Sequence, residues 1–171
     1  MTAAKAQNVA QSNLAPGIPR PTRFFLTQGA SEGYTPLNAF DGALLASKVG
    51  DVNLVKLSSI LPPSCKRSMQ AWPLEGGALT PVAYASITSH LPGEQIAAAV
   101  AVGVPKNPDE PGVIMEYSAR GTAKSAEKIV RQMAKEAFAM RGRELKAVIS
   151  TSVEHNVHSI GTAFAAVVFG Y

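Results

Sequence analysis

Residues 96–104 read Ile-Ala-Ala-Ala-Val-Ala-Val-Gly-Val, an apolar run made almost wholly of small side chains. The run is too short to span a bilayer, so its burial has to come from the protein itself. Small residues at 98–101 suit a strand whose sheet packs closely against another layer. Further β-prone runs fall at 80–89, 112–118, 145–153 and 162–169, with a short one, Thr-Arg-Phe-Phe-Leu-Thr, at 22–27. Between 122 and 141 the period changes. Ala126, Ile129, Val130, Met133, Ala134, Ala137 and Phe138 recur at helical spacing, and Gly142 is placed to end the helix. A first helix is expected from Pro36, capped by Thr35, to Lys48, with a stop at Gly50 and a turn before it at 28–33. Strands and helices do not alternate as a doubly wound parallel sheet requires. The expected class is therefore α+β, a layered sandwich with mostly antiparallel pairing and helices on the outside.

At 171 residues, 46% hydrophobic and 16% charged, the chain suits one well-packed domain. That domain is expected at 22–171, after an arm at 1–21 that is rich in Ala, Gln, Asn and Pro and shows no periodicity. The formal charge of +4 is spread along the chain, which argues against a nucleic-acid partner. No secretory signal or membrane-length run is evident, and the lone Cys65 supplies neither an internal disulfide nor a multi-cysteine zinc site. The expected setting is cytoplasmic, without a membrane partner.

Several common chemistries find no support. The glycine-containing stretches at 29–33 and 74–79 have neither GxGxxG spacing nor a Walker lysine, so nucleotide binding is not expected. His155 and His158 lack an evident third ligand and read as partly exposed residues near a strand end rather than a metal site. A serine triad with His90 or His155 has no G-x-S-x-G turn to support it. Cys65, beside Lys66 and Arg67, could be thiolate-prone, although an isolated loop cysteine is usually incidental. Two carboxyl groups stay open to two readings. Glu116, between Ile114, Met115 and Tyr117, is either an outward surface residue, which pattern alone favours, or a desolvated carboxyl able to donate a proton near neutral pH. Asp41, in a mostly apolar helix, either faces solvent or is an anion awaiting a cationic ligand.

Residues 53–63, Asn-Leu-Val-Lys-Leu-Ser-Ser-Ile-Leu-Pro-Pro, hold the least ordinary pattern. A strand over 52–59 puts Asn53, Val55, Leu57 and Ser59 on one side and Ser58 on the other. Pro62 and Pro63 then end the pairing or mark a sheet edge.

Taken in order, the segments at 31–45, 50–63, 111–117 and 126–145 resemble pyruvoyl-dependent arginine decarboxylase, and the likeness extends from about Phe25 to the C-terminus. The Ser-Ser-Ile-Leu-Pro-Pro run with an upstream Asn is its most specific part. The resemblance implies a four-layer αββα sandwich that cleaves itself between Ser58 and Ser59 into a β chain, 1–58, and an α chain, 59–171. Ser59 would become a covalent pyruvoyl group, so that neither pyridoxal phosphate nor a metal is needed. That group would form a Schiff base with L-arginine and lead to agmatine and CO2. By the same resemblance Glu116 is the proton donor, Asn53 lies near the cleavage and pyruvoyl site, and Asp41, Gly50 and Ser58 bind substrate, Asp41 taking the guanidinium fork. The implied assembly is a homotrimer of αβ protomers with sites between subunits. A pyruvoyl enzyme for another amino acid, and a homologue that binds without processing itself, remain the alternatives. The chain departs from the family pattern in its long arm and in the basic loop at 64–72, which could cover the site.

Overall fold

A computed structural model describes residues 19–171, so the arm expected at 1–21 lies almost entirely outside the described residues. The elements run β1 (Arg23–Glu32), α1 (Pro36–Ala46), β2 (Asn53–Lys56), β3 (Ile60–Leu61), β4 (Lys66–Arg67), β5 (Leu79–Ser89), β6 (Gln95–Pro105), β7 (Gly112–Arg120), α2 (Ala123–Met140), β8 (Leu145–Asn156) and β9 (Gly161–Gly170). They form two sheets, ordered β2-β5-β9-β1-β4 and β3-β7-β6-β8. Pairing is antiparallel except for β1 with β4 and β2 with β5.

Strand alternation builds the layers. On β9, Ala163, Ala165, Val167 and Phe169 face the gap between the sheets, where they meet Ile96, Ala98, Val100 and Val102 of β6. The other face of β9, with Phe164, Ala166 and Val168, packs under Ala43 and Leu44 of α1. The other face of β6, with Ala97, Ala99 and Ala101, packs against Ala126, Val130 and Ala134 of α2. Three apolar interfaces make a four-layer αββα sandwich. The small residues of the 96–104 run serve both sides of one strand, which lets the first sheet and α2 approach it closely from opposite faces.

Several expected boundaries differ from those observed. Residues 28–33, expected as a turn, mostly continue β1, which pairs with β9 through Glu32 and Gly161. Small residues are needed there because α1 lies close: a Cβ on Gly29 would sit 2.5 Å from the Ala43 carbonyl oxygen. Helix α1 does stop well before Gly50. It is Lys48, at φ 62°, that takes the left-handed position after the Ser47 cap. By contrast, Gly142 ends α2 as expected, at φ 62°.

The strand expected over 52–59 stops at Lys56. The chain then leaves one sheet and joins the other, because β2 and β3 are edge strands of different sheets. The basic loop at 64–72 runs toward the opposite edge of the first sheet, where Lys66 donates its backbone N–H to Thr22 and Ser68 to Phe24. Within one chain it therefore does not lie over 57–59. Among the described residues no helix is long and apolar enough to cross a membrane.

Candidate active site

The chain changes sheets over three residues. The Leu57 N–H still donates to Val82 O of β5 at 2.8 Å, whereas Ser59 O already accepts from Ile114 N of β7 at 2.8 Å. The peptide between Ser58 and Ser59 is where one sheet gives up the backbone and the other takes it. Ser59 has φ 71°, a left-handed conformation that costs a non-glycine residue on the order of 1–3 kcal/mol. Its side chain leaves the strand alternation, so Ser59 and Asn53 do not share a strand face. Ser58 is exposed and Ser59 partly buried.

Glu116 lies beneath this crossover. Its neighbours Val113 and Met115 turn toward α2, while Ile114 turns into the gap between the sheets, so alternation along β7 sends Glu116 into the gap as well. The Ser59 hydroxyl donates a hydrogen bond to Glu116 Oε1. Burial raises the Glu116 carboxyl above its ordinary value. The Ser59 hydrogen bond and the positive charge of Lys56 pull it part of the way back. A hydroxyl, a strained peptide and a carboxyl that holds its proton unusually late thus meet at one point. Such an arrangement can move a proton to or from Ser59 and whatever replaces it.

A scan against family models matches residues 23–171 to the model described as pyruvoyl-dependent arginine decarboxylase. The chain belongs to the pyruvoyl-dependent arginine decarboxylase family. Curated relatives carrying that name include one from Methanocaldococcus jannaschii, 50% identical over 88% of this chain and 91% of its own. Another, from Methanococcus maripaludis strain C6, is 44% identical over 88% and 92%. One from Thermococcus kodakarensis is 44% identical over 86% and 94%.

Among the residues singled out in the sequence, only Ser58, Ser59 and Glu116 come together at this point. Asn53 begins β2, and its carboxamide donates to Gly77 O at 2.7 Å while its backbone N–H donates to Ala78 O at 2.9 Å. It pins the strand that leads to the crossover. Gly50 packs where a Cβ would strike Leu45. Asp41 is exposed on α1, opposite the buried stripe of Ala39, Ala43 and Leu44. Other candidates belong elsewhere. Glu32 holds His155 Nε2 at 2.6 Å and accepts from the backbone N–H groups of His158 and Ser159. Cys65 is no thiolate: burial pushes its thiol up to about 11, against an opposing pull from Arg20.

Sequence reasoning missed Lys56. Its ammonium rests 4.3 Å from the ring centre of Tyr84 on β5 and acts on Glu116. Its place three residues before Ser59 was visible, but a lysine on an edge strand normally reads as solvent-facing.

Proposed function

We propose that this chain cleaves itself between Ser58 and Ser59 and, once processed, converts L-arginine to agmatine and CO2. The observation that carries the proposal is the contact of the Ser59 hydroxyl with Glu116 at a left-handed backbone position between two sheet edges. Family membership and relatives named as arginine decarboxylases support it.

In the first stage the ionised Glu116 carboxylate takes the Ser59 hydroxyl proton. The oxygen then attacks the Ser58 carbonyl carbon, and the peptide bond becomes an ester with a free Ser59 nitrogen. Loss of the Ser59 α-proton expels the Ser58 carboxylate and leaves a dehydroalanine N-terminus. Its imine tautomer adds water and releases ammonia, giving the pyruvoyl group. The left-handed strain at Ser59 is relieved when the chain parts, which favours cleavage.

The residues fit that group, since the Ile114 N–H would continue to hold the residue-59 carbonyl and Glu116 would stand beside it. When present, the pyruvoyl carbonyl supplies an electron sink for the substrate's α-carbon. Glu116, whose burial favours the protonated form, then delivers a proton to that carbon after CO2 has left. Asn53 keeps β2 and the crossover in register, Ser58 and Gly50 border the substrate, and the Asp41 carboxylate accepts the paired N–H groups of the guanidinium. Asp41 lies on the outer face of α1 and Glu116 in the gap beyond the first sheet. A substrate that touches both takes them from different protomers, which supports a homotrimer with shared sites.

Mass spectrometry of the denatured protein tests the first stage. The expected result is two fragments divided after Ser58, whose masses sum to the intact chain plus one water and less one ammonia. A fully matured sample that still gave only the intact 17.9 kDa chain would sink the proposal. Assay of CO2 release from a panel of amino acids tests arginine as the substrate.

A further inference from the structure

Two sheet edges lie bare beside each other beyond the crossover. Pairing along β5 ends where the Val82 carbonyl accepts from the Leu57 N–H, and pairing along β7 ends where the Ile114 N–H donates to Ser59 O. By the two-residue period, the backbone groups of Tyr84, Ser86 and Thr88 point the same way as the Val82 carbonyl, and those of Glu116 and Ser118 the same way as the Ile114 N–H. No strand continues alongside them. One side chain closes this open side. Ser118 Oγ, two residues along β7 from Glu116, donates to the bare Ser86 carbonyl of β5 at 3.0 Å. Among the described residues it is the hydrogen bond that joins β5 to β7. On the far side of the sandwich two side-chain pairs join β1 to β8, Gln28 with Thr151 and Glu32 with His155, at 2.6 Å each. On the near side the second tie is the crossover itself, whose backbone spans from Val82 to Ile114. Glu116 thus sits between two ties, one two residues before it at Ile114 and one two residues after it at Ser118.

We propose that Ser118 is a positioning residue for decarboxylation: after self-cleavage it takes over from the severed peptide and holds the Ser58 edge of the first sheet against Glu116 and residue 59. The inference rests on the cleavage between Ser58 and Ser59 proposed above. Cleavage leaves residue 59 and Glu116 together on the second sheet, through Ile114, while Ser58 stays with β2 on the first. The covalent link between the two edges is then gone. Apolar packing of Ala83 and Ala85 against Val100 and Ile114 still closes the gap, but such contacts are non-directional and tolerate sliding. A hydrogen bond to a fixed carbonyl sets both spacing and register. Spacing matters at a reacting centre, where a misplacement of about 1 Å can lower the rate about 10²-fold. Before cleavage the continuous chain already holds the edges, so Ser118 contributes little to self-processing and much to turnover. Removal of its hydroxyl leaves Ser86 O at an open edge where water can replace it, so the fold is kept.

The experiment compares full-length Ser118→Ala and Ser118→Thr with the unaltered chain, following fragment formation by mass and then agmatine formation by the fully cleaved protein. Ser118→Ala should cleave at the unaltered rate and, once cleaved, turn over arginine several-fold more slowly, with the loss in kcat. Ser118→Thr keeps the hydroxyl and should restore turnover. Hydrogen exchange read by mass spectrometry separates positioning from a general structural effect. In the cleaved protein Ser118→Ala should speed exchange in peptides covering 83–89 and 113–120. In uncleavable Ser59→Ala chain, where the peptide still spans the edges, the same change should leave that exchange as it was. Unchanged turnover in cleaved Ser118→Ala, cleavage slowed as much as turnover, no recovery in Ser118→Thr, or exchange that rises equally in the whole chain overturns the role of Ser118. An unaltered chain that never cleaves, or that cleaves without turning over arginine, overturns instead the reading on which the inference rests, so the two failures look different.

Discussion

Burial works against the ionised form of Glu116, and the protein bears that cost whenever the group is charged. Its folded pKa lies above the ordinary 4.5, so the folded state holds the proton more tightly than the unfolded chain. Folding stability then falls as pH rises from about 4.5 through the raised value, and the loss is complete above it. Glu116→Gln removes that loss. In the Ser59→Ala background, which keeps the chain whole, its thermal midpoint should exceed that of the Glu116 protein at about pH 8, and the two should converge near pH 4. In the cleavable chain the same change should slow fragment formation, because Glu116 is also the proposed base, and in the fraction that does cleave it should lower arginine turnover by about 10²–10⁴-fold, the usual contribution of a positioned proton donor. Equal midpoints at both pH values would mean that Glu116 is well solvated after all. Under the proposed role, Glu116 is a site whose function is maintained against stability. Its two readings in the sequence, surface or desolvated, could not be separated there, because burial of a strand residue depends on which sheet covers it.

Beyond the crossover, the ends of the long strands are tied by a second carboxylate with the opposite behaviour. Glu32 closes β1 in the first sheet and takes hydrogen bonds from His155 on β8 in the second and from the turn at 158–159. Some desolvation acts upward, but the backbone N–H of His158, the His155 side chain and the Ser159 N–H outweigh it and lower Glu32 to about 2. The sign is therefore reversed: the stability it contributes is present above pH 4.5 and is lost as pH falls toward 2. Glu32→Gln should lower the thermal midpoint at neutral pH, and the gap should close in strong acid. At the middle of the same strand Gly29 lies under α1, and Gly29→Ala should cost about 1–3 kcal/mol by forcing helix and sheet apart. Chemical denaturation measures that loss. These elements also show what could be read in advance. The helical period of α2 and the aliphatic runs of β6 and β9 carried their own assignment. The length of β1 did not, because Gly29, Ala30 and Ser31 are weak strand formers held extended by their pairing with β9. Nor did the break at 57–59, since nothing in a serine's sequence setting announces a left-handed backbone.

Across the whole molecule the proposed site is divided by the layers that build it. Glu116 points into the gap between the sheets, while Asp41 sits on the far side of the first sheet, on the solvent face of α1. Leu37 and Leu45 flank Asp41 at four-residue spacing on that face and are 74% and 54% exposed, with Tyr34 just before the helix at 93%. An apolar stripe of this kind around a single carboxylate suits contact with another protomer. The edge that carries the crossover also exposes Val55, Ile60 and Leu79. If one protomer presents its α1 stripe to this edge of the next, Asp41 of the first meets residue 59 and Glu116 of the second. Such a heterologous contact closes into a ring when repeated by rotation. The arrangement predicts complementation. Asp41→Ala and Glu116→Gln proteins should each be nearly inactive, yet co-expressed and purified together through different tags they should regain about a quarter of the unaltered activity. Random mixing pairs an intact Glu116 with a neighbour's intact Asp41 at that frequency. Sites contained within one chain predict no recovery, since every chain then carries one of the two lesions. Measured agmatine formation in the co-purified protein decides between them.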